Sequence, residues 1–155
     1  MYSKILVAID GSRQSLDALE QAIEIGRCRD SEVHAVYAIN PGIYGATIVD
    51  PGIGVADPGS DRIFGMLREE GKKILDDAKA LSDKLGYDVK YHLKVGDARD
   101  VILDTSKDIG ADLIVIGSTG KGMAKRLVLG SVSSSVVFHS GVTTLVVRKP
   151  EEGKS

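Results

Sequence analysis

Two uninterrupted apolar runs stand out in the pattern of hydrophobic and polar positions. The run Ile5–Ile9 ends at Asp10, and the run Leu113–Ile116 ends at Gly117. Extended segments that are apolar on both sides are typical of strands buried on both faces, as in parallel sheets. Both runs are therefore predicted to be central strands.

Three further segments are predicted to be strands, and they differ in polarity. Segments 33–39 and 143–148 are mostly apolar, whereas 89–95 alternates apolar residues with lysine and histidine. Such alternation leaves one face of a strand in water. The segment 89–95 is therefore expected at or near a sheet edge, with His92 facing solvent.

Four segments carry apolar residues three and four positions apart, which is the spacing of amphipathic helices. The stop and start signals of helices delimit them. The first helix begins near Ser12, the second runs from Arg62 to a stop at Gly86, the third ends at Gly110, and the fourth runs from about Val132 to Ser140.

The segment 40–60 has no periodicity and contains repeated Pro and Gly residues. These residues predict a long loop. Long connections without secondary structure are uncommon in compact domains and usually have a function or are inserts. The loop is expected to be either a lid or an inert insert.

Alternating strands and helices predict an α/β fold with a doubly wound, five-stranded parallel sheet and helices on both faces. Its expected strand order is 3-2-1-4-5. A length of 155 residues fits a single domain, 1–155, with a frayed tail at 149–155. In this order a crevice opens where the chain direction reverses, at the carboxyl ends of strands one and four, and ligands bind at such points.

Charge and composition indicate which classes of binding partner and which cellular compartment to expect. Twenty Lys and Arg residues against twenty-two Asp and Glu give a net charge of -2, which favours neither nucleic acid nor a membrane surface as a partner. No apolar run approaches the length of a membrane span, and no signal peptide is recognised, so a cytoplasmic protein is expected. The single cysteine, Cys28, excludes an internal disulfide and is expected to be a packed helix residue.

A glycine-rich segment follows the fourth strand with the spacing G-x2-G-x9-G-S, in which Gly117, Gly120, Gly130 and Ser131 are the fixed positions. Val132 and Ser133 come next, where the fourth helix should begin. The free amides and the dipole of a helix start favour an anion, so a phosphate site is predicted, assisted by the serine hydroxyls. Two ordinary glycine turns are the alternative interpretation.

Other nucleotide-binding motifs do not fit this segment. It has no G-x4-G-K-S/T phosphate loop and no complete G-x-G-x-x-G dinucleotide motif. The residues Lys121, Lys125 and Arg126 lie between the last two motif glycines. They are secondary candidates for contacts to phosphates, and a solvated charged loop is their alternative interpretation.

The chain resembles the ATP-binding branch of the universal stress protein family over nearly its whole length. Beside the glycine motif, the resemblance rests on four segments: 4–12, 96–97, 111–117 and 145–147. It implies that ATP is bound, with Mg²⁺ or Mn²⁺ held through the phosphates. By this resemblance Asp10 and the backbone of Ala38 would meet adenine, Gly117 and Ser118 the ribose, and Gly120, Gly130, Ser131, Val132 and Ser133 the phosphates.

The expected function is that of a nucleotide-dependent regulatory switch in stress response, not an enzyme, because no set of groups for hydrolysis is recognisable beyond the loop lysines. Two alternatives stay open: a slow ATPase or phosphotransferase, and a dimeric interaction module whose glycine segment is structural. A homodimer is expected through the apolar edge strand that contains Leu145, Val146 and Val147.

Overall fold

The computed structural model describes residues 1–41, 58–119 and 129–148, with side chains from residue 62 onward in the second of these ranges. Five strands alternate with four helices along the described chain. In order they are β1 (Lys4–Ala8), α1 (Arg13–Arg29), β2 (Glu32–Ile39), α2 (Pro58–Lys84), β3 (Val89–Val95), α3 (Ala98–Ile109), β4 (Leu113–Gly117), α4 (Ser131–His139) and β5 (Thr143–Val147).

The five strands form one sheet with the order β3-β2-β1-β4-β5, and every neighbouring pair is parallel. This confirms the predicted sheet and its order. Strand β4 is buried along its whole length, and Ile5, Leu6 and Val7 of β1 have no exposed surface. Their uninterrupted apolar sequences reflect this burial on both faces.

The helices cover both faces of the sheet. On one face Ile5 and Val7 pack against Leu19 and Ile23 of α1, and α2 completes this layer. On the other face, Leu6 and Ile114 belong to a cluster with residues of α3 and α4, including Val101, Ile102 and Val136. Residues adjacent in a strand therefore enter different cores, as the alternation of side chains in a strand requires.

Two expectations were wrong in detail. Helix α2 begins at Pro58, not at Arg62, because proline is well tolerated in the first turn of a helix although it suggests a turn in a sequence. Residues 58–60 of the expected loop therefore belong to α2, while 42–57 lie outside the described residues, as does the tail after 148. Cys28 is exposed on α1, not packed.

His92 also differs from its expected position in solvent. Its ring stacks on that of His34 with centroids 5.1 Å apart, and His34 Nδ1 lies 2.8 Å from His92 Nε2. His34 is buried, and its other nitrogen lies 2.5 Å from Glu32 Oε1. The pair lies on the sheet face covered by α3, where the register places His92 beside Val36.

Burial lowers the pKa of His92, and the positive charges of His34, Lys94 and Lys90 lower it further. Two carboxylates hold the neighbouring lysines: Lys90 pairs with Glu32 at 3.2 Å, and Lys94 pairs with Asp108 of α3 at 3.6 Å. The folded chain therefore binds a proton at His92 less readily than the unfolded chain, whose histidines titrate near about 6.5.

We expect the free energy of unfolding to fall as the pH decreases from about 7 to about 5, because the unfolded state takes up the proton that folded His92 resists. The change His92→Gln should reduce this slope. Glu32, whose pKa is lowered mainly by its hydrogen bond with His34, stays ionised over this range and adds little. Urea denaturation at several pH values measures the slope.

The exposed His139 supplies a control, since it lies on α4 away from the pair and bonds only within its own helix among the described residues. His139→Gln should keep the parent's slope. A His92→Gln variant with the same pH dependence as the parent would contradict the assignment.

Candidate functional site

A cavity of about 370 Å³ opens at the carboxyl ends of β1, β2 and β4, where the chain leaves neighbouring strands toward opposite faces. This is the predicted crevice, and its volume is within the range of small-molecule sites. It is lined by Ala8, Ile9, Asp10, Ser12, Ser15, Val36, Tyr37, Ala38, Ala98, Ile102, Ile116, Gly117, Thr119, Gly130, Ser131, Val132 and Ser133.

The turn after β1 forms one wall of the cavity. Asp10 Oδ1 accepts a hydrogen bond from the Ser12 amide at 2.8 Å, and Gly11 between them has a φ of +83°, which favours glycine. Ser12 then caps α1, as its Oγ accepts a hydrogen bond from the Ser15 amide at 3.2 Å. The predicted site residue Asp10 thus has a defined place in the wall.

The backbone of Ala38 faces the cavity from β2. Pairing between β1 and β2 ends at Ala8 and Val36, and the Val36 carbonyl accepts the last hydrogen bond from Ile9 at 2.9 Å. The Ile39 carbonyl accepts from Gly96 on the opposite side. The N–H and C=O groups of successive residues point alternately to the two sides of a strand, so those of Ala38 point to the same side as those of Val36, toward β1. Ala38 lies beyond the last residue of β2 that pairs with β1. A donor and an acceptor are therefore presented there.

Gly117 lines the cavity, but a second contact explains why it is a glycine. A Cβ atom at this position would lie 2.9 Å from Gln14 Cβ and 3.0 Å from the Gln14 carbonyl carbon and oxygen. Real Cβ atoms are hardly ever this close to another atom, and the backbone of α1 cannot move aside cheaply. The first motif glycine is thus required by the packing of α1 on the end of β4.

The start of α4 differs from the starts of the other two helices whose caps are described. Ser12 caps α1 and Asp97 caps α3, whereas the N-cap of α4 is Gly130, which has no side chain to accept a hydrogen bond. The first intrahelical bond of α4 runs from the Ser134 amide to the Gly130 carbonyl. No described residue accepts a hydrogen bond from the amides of residues 131–133. Within the part of the chain that the structure describes, these three donors therefore have no acceptor, and residues 131–133 line the cavity.

Gly130 and Ser118 have roles other than those expected. The Gly130 amide donates to the Ser118 carbonyl at 2.8 Å, so it is not free for a ligand. Its φ of −63° and ψ of 165° are accessible to any residue, so the backbone conformation does not require a glycine. What distinguishes Gly130 from the other N-caps is that it has no side chain to cap the helix. Ser118 is buried outside the cavity lining, and its amide donates to the Val147 carbonyl at 3.0 Å.

The two serine hydroxyls expected to assist a phosphate are not equivalent. The Ser133 hydroxyl is buried and donates to the Gly117 carbonyl at 2.7 Å, so its only proton is already used. Ser131 is exposed, and no hydrogen bond of its hydroxyl occurs within the described ranges. A hydroxyl that donates to a phosphate therefore stays a prediction for Ser131, while Ser133 can offer only its amide.

Several lining residues were not identified from the sequence. Thr119 is buried in the wall beside Gly117, and Ala98 and Ile102 reach the cavity from α3. Only Thr119 had a sequence signal, because it lies inside the glycine motif. Gly120, Lys121, Lys125 and Arg126 lie outside the described residues.

Metal-binding clusters and membrane-spanning helices are both absent from the described residues. Within ranges 1–41, 58–119 and 129–148, no group of three or more His, Cys, Asp or Glu side chains is arranged to hold a metal ion. In the same residues, no helix is both long and apolar enough to cross a membrane.

The model of the universal stress protein family matches residues 1–148 of this chain. The chain belongs to that family. Universal stress protein MJ0531 of Methanocaldococcus jannaschii is 34% identical over 153 residues, which are 98% of this chain and 85% of that protein. Universal stress protein YxiE of Bacillus subtilis is 32% identical over 148 residues, 96% of this chain and 100% of that protein.

Solved structures support the same assignment. Hypothetical protein MJ0577 superposes with a TM-score of 0.80 at 28% identity, over 97% of this chain and 99% of that one. A universal stress protein in complex with cAMP gives 0.68 at 27% identity, over 96% and 99% of the two chains. The Archaeoglobus fulgidus universal stress protein in complex with dAMP gives 0.66 at 25% identity, over 95% and 98%.

We expect Gly117→Ala to lower the free energy of unfolding by about 1–3 kcal/mol, because the added methyl group overlaps the backbone of Gln14. Urea denaturation measures the loss. Gly141→Ala is the matched control, since a Cβ atom there meets no atom within 4 Å. Equal stability of Gly117→Ala and Gly141→Ala would show that the contact with α1 does not require a glycine.

Proposed function

We propose that this chain binds ATP in the cavity and acts as a nucleotide-dependent regulatory protein with little or no hydrolysis. The observation that carries the proposal is the start of α4 at the switch point of the sheet. Its N-cap Gly130 makes no side-chain cap, no described residue accepts from the amides of residues 131–133, and these residues line the cavity. Uncapped amides and the positive end of a helix dipole form a phosphate site.

The rest of the cavity supports an adenine nucleoside attached to that phosphate. The Ala38 peptide groups offer a donor and an acceptor side by side, which suits the edge of a purine, and Asp10 adds an acceptor nearby. Adenine nucleotides in the related structures, cAMP and dAMP, support the same class of ligand. ATP is the proposed member of this class, with its ribose near Gly117 and its phosphates at Ser131, Val132 and Ser133.

Mg²⁺ or Mn²⁺ would reach this site through the phosphates. Hard divalent cations bind phosphate oxygens and keep several water ligands, so they need few protein ligands. When bound, the ion would neutralise part of the phosphate charge. Among the described side chains, we expect the exposed Ser131 hydroxyl to contact the ion or a phosphate oxygen.

The character of the lining supports regulation in preference to catalysis. Among the described lining residues, Asp10 and Tyr37 are the only titratable side chains, and none is a lysine, arginine or histidine. Phosphoryl transfer depends on cationic groups at the transferring phosphate and on a group that orients the nucleophile.

An ATP titration by calorimetry, followed by a single-turnover assay, tests this function. Binding with turnover far below about 1 per second is expected, since that rate is the low end for typical enzymes. Turnover at or above that rate would favour the enzyme, and the absence of any nucleotide binding would leave an interaction module.

We expect Gly130→Val to lose ATP binding while the fold stays intact, because a branched side chain would occupy the cavity beside the free amides. Ser131→Ala removes one donor and keeps the amides, so a loss of about five- to thirtyfold in affinity is expected. Calorimetry measures both, with circular dichroism as the test of folding. A folded Gly130→Val variant with the parent's affinity would place the phosphate site elsewhere.

We also propose a homodimer through β5. This strand pairs with β4 alone in the described sheet, and Leu145 is 36% exposed on it. An apolar strand edge with unpaired peptide groups favours a second strand, and two copies satisfy this with twofold symmetry.

We expect light scattering to give about twice the chain mass of 16.5 kDa for the parent, and a lower mass for Leu145→Lys. Leu145 suits this test better than Val146, because Val146 packs against the core and its replacement would also disturb the fold. Val95→Lys, at an exposed position on the opposite edge strand, is the control and should remain dimeric. A parent of single-chain mass would refute the dimer.

A further inference from the structure

Two hydrogen bonds hold the first turn of α4 against the end of β4. The Gly130 amide donates to the Ser118 carbonyl at 2.8 Å, and the Ser133 hydroxyl donates to the Gly117 carbonyl at 2.7 Å. The two acceptors are consecutive carbonyls of one chain segment. The turn is therefore attached at its N-cap and again at its third helical residue.

The segment that accepts these bonds is itself fixed. Gly117 is buried against the backbone of Gln14 on one side, and the Ser118 amide donates to Val147 of β5 at 3.0 Å. Groups packed in this way have little freedom to shift. A hydrogen bond from α4 to the Gly117 carbonyl therefore fixes the position of α4 relative to the sheet.

The Ser133 hydroxyl cannot serve a phosphate as a donor at the same time. The residue is 3% exposed, and a hydroxyl has one proton, which the Gly117 carbonyl receives. Phosphate oxygens are acceptors and need donors. Among the described residues, the donors that remain at this turn are the Ser131 hydroxyl, the amides of Ser131 and Val132, which lie between the two attachment points, and the Ser133 amide itself.

We propose that Ser133 is a positioning residue of the nucleotide site, whose hydroxyl aims the amides at the start of α4 by binding Gly117 and makes no contact with the ligand. This inference rests on the proposed binding of ATP in this cavity. It assigns the two serine hydroxyls different roles, with Ser131 meeting the ligand and Ser133 holding the helix.

The test compares ATP with adenosine, which has no phosphate, by calorimetry. Ser133→Ala should lower the affinity for ATP about three- to tenfold and change that for adenosine by less than about twofold, because only the phosphates meet the misaligned amides. Ser133→Thr keeps the hydroxyl and should restore the affinity for ATP. The matched control is Ser134→Ala, which removes an exposed hydroxyl 3.5 Å from the Leu129 carbonyl in the same turn and should behave as the parent.

A measurement without ligand accompanies the titration. The heteronuclear nuclear Overhauser effect of the Ser131 and Val132 amides should decrease in Ser133→Ala and stay unchanged in Ser134→Ala, because the turn loses one of its two attachments. A folded Ser133→Ala variant with unchanged amide mobility and the parent's affinity for ATP would overturn the inference. An equal loss for ATP and adenosine would overturn it too, since it would indicate general damage to the cavity.

The proposed function fails in a different way. If the parent itself binds neither ATP nor adenosine, the nucleotide site is refuted together with the role of Ser133 in it. If the parent binds ATP and only the Ser133 variants contradict the expectation, the nucleotide site stands and the positioning role is wrong.

Discussion

Burial of β1 and β4 on both faces is the constraint on which the rest of the structure depends. Because both strands need cover on two sides, the helices must be divided between two layers, and each helix must cross over the sheet to reach the next parallel strand. Because each helix follows one of these parallel strands, the helices start at the carboxyl edge of the sheet. The cavity between β1 and β4 is therefore a result of the fold, and the residues that follow these strands form its wall.

The strands of the sheet and their order could be predicted from the sequence because the strands differ in their patterns of apolar and polar residues. Segment 113–117 is apolar throughout and is buried throughout, while the alternation in 89–95 marks a strand at the edge. The sequence was not sufficient for the start of α2, where Pro58 suggests a turn, or for His92, whose partner is 58 residues away in the chain. A cross-strand contact of this kind has no signature in the local pattern, since it depends on which strands become neighbours.

The location of the site could be predicted more fully than the role of each residue. The glycine spacing and the switch point both indicated the start of α4, and the cavity is there. The sequence did not reveal that the glycine at 117 makes room for α1, or that the Ser133 hydroxyl is directed to a carbonyl. A serine next to a helix start can bind a ligand or the protein, and only the surrounding backbone decides between them.

The central proposal is that backbone amides at the start of α4 hold the phosphates of an adenine nucleotide. Neither the serine hydroxyls nor charged side chains carry the main part of the binding in this account. The claim explains why the N-cap of α4 is a glycine while α1 and α3 are capped by side chains. In this proposal two different parts of the chain bind the nucleotide: the start of α4 binds the phosphates, and the end of β2 binds the base.

The most direct measurement of this claim is a nuclear magnetic resonance titration of the ¹⁵N-labelled chain, first with adenosine and then with ATP. If backbone amides hold the phosphates, adenosine should shift the amide of Ala38 and leave those of Ser131 and Val132 nearly unchanged, whereas ATP should shift all three. Large shifts at Ser131 and Val132 that are equal for adenosine and ATP, or no shifts there with saturating ATP, would contradict this claim.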